Sequence, residues 1–170
     1  MIADVYRPDE WHDFFVMVGG GTAALTGLVF VALSLNLDAI LRDAMHRSRS
    51  IGTLTNFAGI FVVCALALMG GQGHVAIGAE WLLTATAAAF VFAYPWPTAR
   101  RAGTPTVLRF TVGALLYAAE ILGAALLLSG NTAGLYTAAA SMTLLAVYAI
   151  SGAWLLVVGA RDDPTGRTAR

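Results

Sequence analysis

Five long runs of apolar residues, separated by short polar or glycine- and proline-containing stretches, dominate the pattern along the chain. A helix needs about 20 apolar residues to cross the hydrocarbon core of a bilayer. The pattern therefore predicts an all-α, polytopic transmembrane helical bundle whose spans comprise residues 14–35, 53–69, 76–94, 107–128 and 133–160. We expect one transmembrane domain, residues 1–160, and a polar cytoplasmic tail, residues 161–170.

Turn-forming residues mark several span boundaries. Pro95 and Pro97 end the third span, because proline lacks the amide donor that a helix requires. Ser129, Gly130 and Asn131 predict a tight turn between the fourth and fifth spans. The second span is the shortest of the predicted crossings.

The first span is followed by a polar segment that keeps a helical period. Its apolar positions recur three or four residues apart, and Asp38–Arg42 and Asp43–Arg47 are acid-before-base pairs at a spacing of four. This pattern predicts that the first helix continues beyond the membrane as an amphipathic extension.

The composition supports a membrane environment. Hydrophobic residues make up 58% of the chain and charged residues 12%, whereas soluble domains average about 45–50% and about 25%. The net charge is zero, so the balance of charge indicates no nucleic acid partner. The lone Cys64 lies in an apolar run, where a packing role is expected.

The arginines predict the orientation of the bundle, because basic residues in short loops favour the cytoplasmic side. With five crossings, every arginine except Arg7 falls on one side. The N-terminus is therefore expected outside and the C-terminus in the cytoplasm. Aromatic residues mark both boundaries: Trp11, Trp81 and Tyr136 at the outer ends, and Tyr94, Trp96, Phe110 and Trp154 at the inner ends.

Glu120, at the middle of the fourth span, is the leading candidate for intramembrane chemistry. A carboxylate at the bilayer centre costs about 2.5–3.5 kcal/mol on insertion scales, so such a residue is a functional candidate by default. Gly113, Tyr117, Gly123 and Ala124 share its helical face. Glu120 and Tyr117 are expected to form a protonatable or cation-binding site. The alternative is a protonated Glu120 that joins helices through a bond to Tyr117, Ser141 or Tyr148.

Glu80 and His74 form a second, weaker candidate site at the outer face. Their spacing of six does not place both on one helical face, so a metal site is not expected there. No nucleophile elbow, HExxH, CxxC or P-loop is present in the sequence. The sequence predicts no catalytic residue, no metal and no cofactor.

The stretch VGGGTAALTG, residues 18–27, places three glycines inside the first span. Gly19, Ala23 and Gly27 are spaced by four and predict a stripe for close helix packing. Thr22 and Thr26 lie on or beside the stripe, where their hydroxyls are expected to bond across to another helix. Gly20 and Gly21 would then be explained either by a central position of this helix among several neighbours or by local unwinding near the outer leaflet.

Residues 11–41, from WHDFF through GGGTAALTGLVFVALSLNLDAIL, resemble the opening of an uncharacterised family of small integral membrane proteins in high-G+C bacteria. The resemblance implies a multi-pass protein of the plasma (inner) membrane and carries over no catalytic residue.

These features predict a non-enzymatic membrane protein that acts by helix packing. Its partners are expected to be the lipid bilayer and either further copies of itself, as a homo-oligomer, or another membrane protein, as a small subunit or modulator of a complex. The alternative is a small channel or proton-coupled transporter that uses Glu120. An intramembrane enzyme acting on lipid through His74 and Glu80 is the least favoured class.

Overall fold

The computed structural model describes residues 6–37, 40, 44–97 and 107–159, and within these ranges the regular elements are five long helices and no strand. They are α1 (Pro8–Leu35), α2 (Ala44–Ala67), α3 (His74–Ala93), α4 (Val107–Leu128) and α5 (Thr132–Gly159). All five are long and apolar enough to cross a membrane. The predicted five-span helical bundle is confirmed, and the chain is a multi-pass membrane protein.

α1 begins earlier than its apolar run and ends where the run ends. Pro8 occupies the first helical turn, where a missing amide donor costs nothing, and the same turn carries acidic residues that favour a helix N-terminus. At the other end Asn36 leaves the helical conformation, and its side-chain nitrogen donates to the carbonyl oxygen of Ala32 over 2.8 Å.

Asn36 thus separates α1 from the segment in which the sequence predicts an amphipathic extension. Helical bonding resumes beyond the break, where the amide of Ile40 donates to the carbonyl oxygen of Asn36. Most of the expected amphipathic segment, residues 38, 39 and 41–43, lies outside the described residues, as does the predicted tail, residues 161–170.

α2 begins at Ala44 rather than near residue 53, so it is not the shortest crossing. Of the five helices named above, the shortest is α3, with 20 residues. The predicted start at residue 53 is late because the residues before it, which include Arg47 and Arg49, are polar and yet continue the helix. Thr53 and Asn56, inside the predicted span, are both buried. The side-chain nitrogen of Asn56 donates to the carbonyl oxygen of Leu145 in α5 over 2.8 Å.

Four of the helices form a ring, and the fifth lies outside it. α2 packs against α3, α3 against α4, α4 against α5, and α5 against α2. α1 packs mainly on the outer side of α2 and touches α5 over a smaller area. The centre of the bundle is therefore built by α2–α5, and α1 is peripheral.

Glycines allow close backbone contact between neighbouring helices of the ring. A Cβ at Gly78 of α3 would lie 2.9 Å from the backbone nitrogen of Leu128 in α4. A Cβ at Gly123 of α4 would lie 2.5 Å from the backbone nitrogen of Ala138 in α5, and one at Gly134 would collide with the backbone at Leu127. Because lipid supplies no hydrophobic drive between helices, such close contacts are a main source of bundle stability.

The predicted turn between α4 and α5 is present. Gly130 adopts φ +83°, a conformation that favours glycine. Its amide donates to the carbonyl oxygen of Leu127, and the amide of Asn131 donates to that of Leu126, which is the bond pattern of a Schellman motif. These bonds stop α4 and reverse the chain within three residues of Leu128.

Aromatic residues close the bundle at the end where α1 starts. Trp11 lies 5.0 Å from Tyr136 of α5, and Phe15 lies 6.0 Å from Trp81 of α3, measured between ring centroids. Tyr6, just before α1, is buried and donates its hydroxyl to the carbonyl oxygen of Ala67 over 2.9 Å. Burial raises the pKa of Tyr6 to about 12.

Candidate functional site

Glu120 lies in the interior of the ring of helices, and only 4% of its surface is exposed. The positions three, four and seven residues away on α4 are buried with it: Gly113, Tyr117, Gly123 and Ala124. The small residues on this face let α3 and α5 approach closely. The helical face expected from the sequence is thus the face that enters the bundle.

The hydrogen-bond partner of Glu120 is Trp81. The indole nitrogen of Trp81 in α3 donates to one carboxyl oxygen, Oε1, over 2.9 Å. The partners considered from the sequence make other bonds: Ser141 donates to the carbonyl oxygen of Thr137, and Tyr148 donates to that of Arg109. The interhelical role foreseen for Glu120 therefore links α4 to α3 rather than to α5.

Trp81 is fully buried, with 0% of its surface exposed. Trp81 lies near the predicted outer end of the bundle, beside Phe15, but its ring is enclosed by the helices and does not face the membrane boundary. A buried indole N–H requires an acceptor, and Glu120 supplies one. The signal that could have revealed this pairing is the position of Trp81 on the same face of α3 as the buried residues Ile77 and Ala85.

A small cavity lies beside the Glu120 carboxyl group, between α2, α3 and α4. Four polar residues contribute to its lining: Asn56, Thr84, Tyr117 and Glu120. The rest of the lining is apolar or glycine, and the space holds about one water molecule. The arrangement can hold a proton, a water molecule or a small cation next to a carboxyl group.

Tyr117 borders this cavity and an aromatic layer on its other side. Its ring lies 5.3 Å from that of Phe92 of α3, and Phe92 in turn stacks on Phe110 at 5.2 Å. A Cβ at Gly113 would lie 2.5 Å from the ring of Phe92, so this glycine makes room for the layer. Phe92, Phe110 and Tyr117 thus form an aromatic layer next to the Glu120 cavity.

Glu80 and His74 do not form a joint site with a metal-binding geometry. Both carboxyl oxygens of Glu80 accept bonds from the side-chain nitrogen of Gln72, at 3.2 and 3.0 Å. His74 lies beside the turn after α4, where its Nε2 would be 3.7 Å from a Cβ at Gly130. Within the described part of the chain, no group of three or more His, Cys, Asp or Glu residues could hold a metal ion.

The small residues of α1 divide between a buried face and an exposed face beside it. Gly19 and Thr22 are buried against α2, and a Cβ at Gly19 would lie 2.9 Å from the Cβ of Cys64. Ala23 and Gly27 are exposed, and no atom lies within 4 Å of a Cβ at Gly27. The sequence predicts that Gly19, Ala23 and Gly27 pack together against another helix of the chain. For Ala23 and Gly27 that prediction is wrong, because the buried face of α1 contains Thr22 and Val29 instead.

The threonine hydroxyls of α1 bond within their own helix. Thr22 donates to the carbonyl oxygens of Val18 and Gly19, at 2.9 and 3.0 Å, and Thr26 donates to that of Thr22 over 2.7 Å. The expected bonds across to another helix are therefore not made by these hydroxyls among the described residues. Back-bonding of this kind satisfies a hydroxyl in an apolar medium without a partner helix.

Neither explanation offered for Gly20 and Gly21 agrees with the structure. α1 is a continuous helix from Pro8 to Leu35, so it is not unwound near the outer leaflet. It is also the peripheral helix, so it is not surrounded by neighbours. Both glycines are exposed, with no atom within 4 Å of an added Cβ.

Comparisons of the chain with protein family models, curated proteins and solved structures found no match.

Proposed function

We propose that the protein acts without catalysis, as a homo-oligomer of the bacterial plasma (inner) membrane held together by helix packing through α1. The observation that carries this proposal is an exposed strip on α1, called here the small-residue face. It comprises Gly20, Ala23, Ala24 and Gly27.

The spacing on this face suits close contact between two helices. Gly20 and Ala24 are four residues apart, as are Ala23 and Gly27, so the face contains two overlapping small-xxx-small pairs. It lies beside the buried face of Phe15, Gly19 and Thr22. Bulkier exposed side chains, Val16 and Val31, border it along the helix. A shallow groove of this kind lets another backbone approach, whereas lipid chains gain little from it.

A second copy of the chain is the occupant that we propose. The same face on two subunits meets about a two-fold axis, because small residues opposite small residues are self-complementary. The peripheral position of α1 leaves this contact open without any rearrangement of the ring α2–α5. A different membrane protein bound to the same face, as in a larger complex, is the competing outcome.

The test is the native mass of the Gly27→Leu variant in nanodiscs. An added side chain at Gly27 meets no atom of its own chain, so the fold should persist while the contact between copies is blocked. We expect an oligomeric wild type and a smaller mass for Gly27→Leu. Ala87→Leu is the matched control, since Ala87 is an exposed small residue of α3 and its replacement should leave the mass unchanged.

Two results would contradict the proposal. A monomeric wild type would remove the homo-oligomer and favour a different membrane partner. An unchanged mass for Gly27→Leu would show that any oligomer uses another face.

A proton-coupled transporter is the second candidate function, and the Glu120 cavity is the observation in its favour. A carboxyl group beside space for a water molecule, in the membrane interior, is an arrangement typical of proton relays. In reconstituted vesicles, proton flux that Glu120→Gln abolishes would support it. Glutamine keeps the size of the side chain and an oxygen that accepts the Trp81 bond, so loss of flux would report the titrating group. Undiminished flux in Glu120→Gln would exclude Glu120.

A further inference from the structure

Arg109 occupies a position between α4 and α5 that several contacts fix. Its Nη1 donates to the hydroxyl of Ser151 over 3.2 Å, and its Nη2 donates to the carbonyl oxygen of Tyr148 over 3.1 Å. The guanidinium carbon lies 4.4 Å from the centroid of the Tyr148 ring, a cation–π geometry. The Tyr148 hydroxyl donates in return to the Arg109 carbonyl oxygen over 3.3 Å.

Gly152 provides the space that this arrangement needs. A Cβ at Gly152 would lie 2.7 Å from Arg109 Nη2 and 3.5 Å from the hydroxyl oxygen of Thr53. α2 therefore also approaches the site, and its Arg49 lies within electrostatic range of Tyr148. Side chains from three helices, α2, α4 and α5, therefore lie close together in one positively charged region.

The positive charge has no acidic counterpart in the part of the chain that the structure describes. The ion pairs there join Arg7 to Glu10 and His12 to Asp13, at the start of α1, and none involves Arg109 or Arg49. A guanidinium group carries five N–H donors, and the protein acceptors described above engage only Nη1 and Nη2 of Arg109. Donors and charge thus remain for an anion.

We propose that this cluster, the Arg109 site, binds the phosphate of an anionic phospholipid headgroup. The planar donor fork of arginine matches phosphate oxygens, and basic pockets between transmembrane helices suit anionic headgroups. The surroundings favour a lipid over free phosphate. Residues of α4 and α5 that are close in sequence to Arg109 and Ser151 have exposed apolar side chains, along which acyl chains would lie. They are Val107, Leu108, Ile150 and Trp154. The inference does not depend on the oligomer proposed above.

Native mass spectrometry of the purified full chain tests the site, with phosphatidylglycerol and phosphatidylcholine of identical acyl chains as probes. We expect the wild type to bind phosphatidylglycerol about tenfold more tightly, because both lipids present a phosphate but the trimethylammonium group of phosphatidylcholine cancels its charge and is repelled by the positive site. Arg109→Gln should lose that preference. Gly152→Ala should weaken it without removing any charge, because the new methyl group displaces Arg109 Nη2.

Arg47→Gln is the control for general attraction of anionic lipid, since Arg47 is an exposed arginine of α2; it should keep the preference. Circular dichroism checks that each variant is folded. The affinities of the wild type for the two lipids test the proposal even if a variant does not fold. Equal affinity for the two lipids would overturn the proposal. So would an unchanged preference in folded Arg109→Gln. Orthophosphate that binds in an Arg109-dependent way, without any lipid preference, would overturn the assignment to lipid.

Discussion

A single hydrogen bond joins two polar groups in the interior of the bundle, the carboxyl group of Glu120 and the indole N–H of Trp81. A polar interhelical bond in a membrane contributes about 0.6–2 kcal/mol. A charge at the bilayer centre costs about 2.5–3.5 kcal/mol on insertion scales. The bond offsets only part of that cost if Glu120 is ionised, and the cavity beside the carboxyl group leaves room for a further role.

A double-mutant cycle measures the strength of this bond. Trp81→Phe removes the indole donor and Glu120→Leu removes the acceptor, so each single change should destabilise the bundle while the double variant loses less than the sum. We expect a coupling energy of about 0.6–2 kcal/mol in reversible unfolding in mixed micelles. Strict additivity would show that the bond contributes nothing to stability.

At the scale of the helices, the glycines differ according to what surrounds them. Gly78, Gly123 and Gly134 allow backbone contact inside the ring, whereas Gly20 and Gly21 on α1 have open space around them. The small-residue face gives Gly20 a proposed role between copies of the chain. Nothing in the structure explains Gly21.

Alanine substitutions should separate these two kinds of glycine. Gly134→Ala places a methyl group against the backbone at Leu127 and should lower the free energy of unfolding by about 1–3 kcal/mol, the usual cost of overpacking. Gly21→Ala is the matched control: it meets no atom and should leave stability unchanged or raise it by up to about 1 kcal/mol. Thermal or denaturant unfolding in one detergent compares them, and equal stabilities would contradict the packing role of Gly134.

At the scale of the whole molecule, the ring α2–α5 holds the polar interior and α1 lies on its outside. Five crossings place the two ends of the chain on opposite sides of the membrane. The distribution of arginines predicts which side is which, with the start of α4 in the cytoplasm and the turn between α4 and α5 outside.

Cysteine labelling in intact cells checks this orientation. The native Cys64 is buried and should not react, so the wild type is its own background control. Ser129→Cys, at the exposed end of α4, should react with a membrane-impermeant maleimide. Val107→Cys, exposed at the start of α4, should react only after the cells are opened. The reverse pattern would invert the predicted topology.

The sequence alone determined the features that depend on local chemistry. The length of each apolar run set the number of crossings, and the glycine and asparagine after Leu128 set the turn before α5. The small residues around Glu120 identified the buried face of α4. Each of these follows from residues close together in the chain, where hydrophobic length, helical period and turn preference act directly.

Only the tertiary structure decided which helices are neighbours and hence which residues meet. It gave Glu120 its partner Trp81, moved α1 to the periphery and brought Arg109 to Tyr148 and Ser151. The physical reason is the solvent. In a soluble protein, the polar face of a helix lies toward water and the apolar face toward the core. In a membrane the lipid-facing side is apolar as well, so hydropathy does not distinguish a packed face from a lipid-facing one. That difference is why Gly19, which packs against Cys64, and Gly27, which is exposed, have such different surroundings although the sequence places them on one stripe of α1.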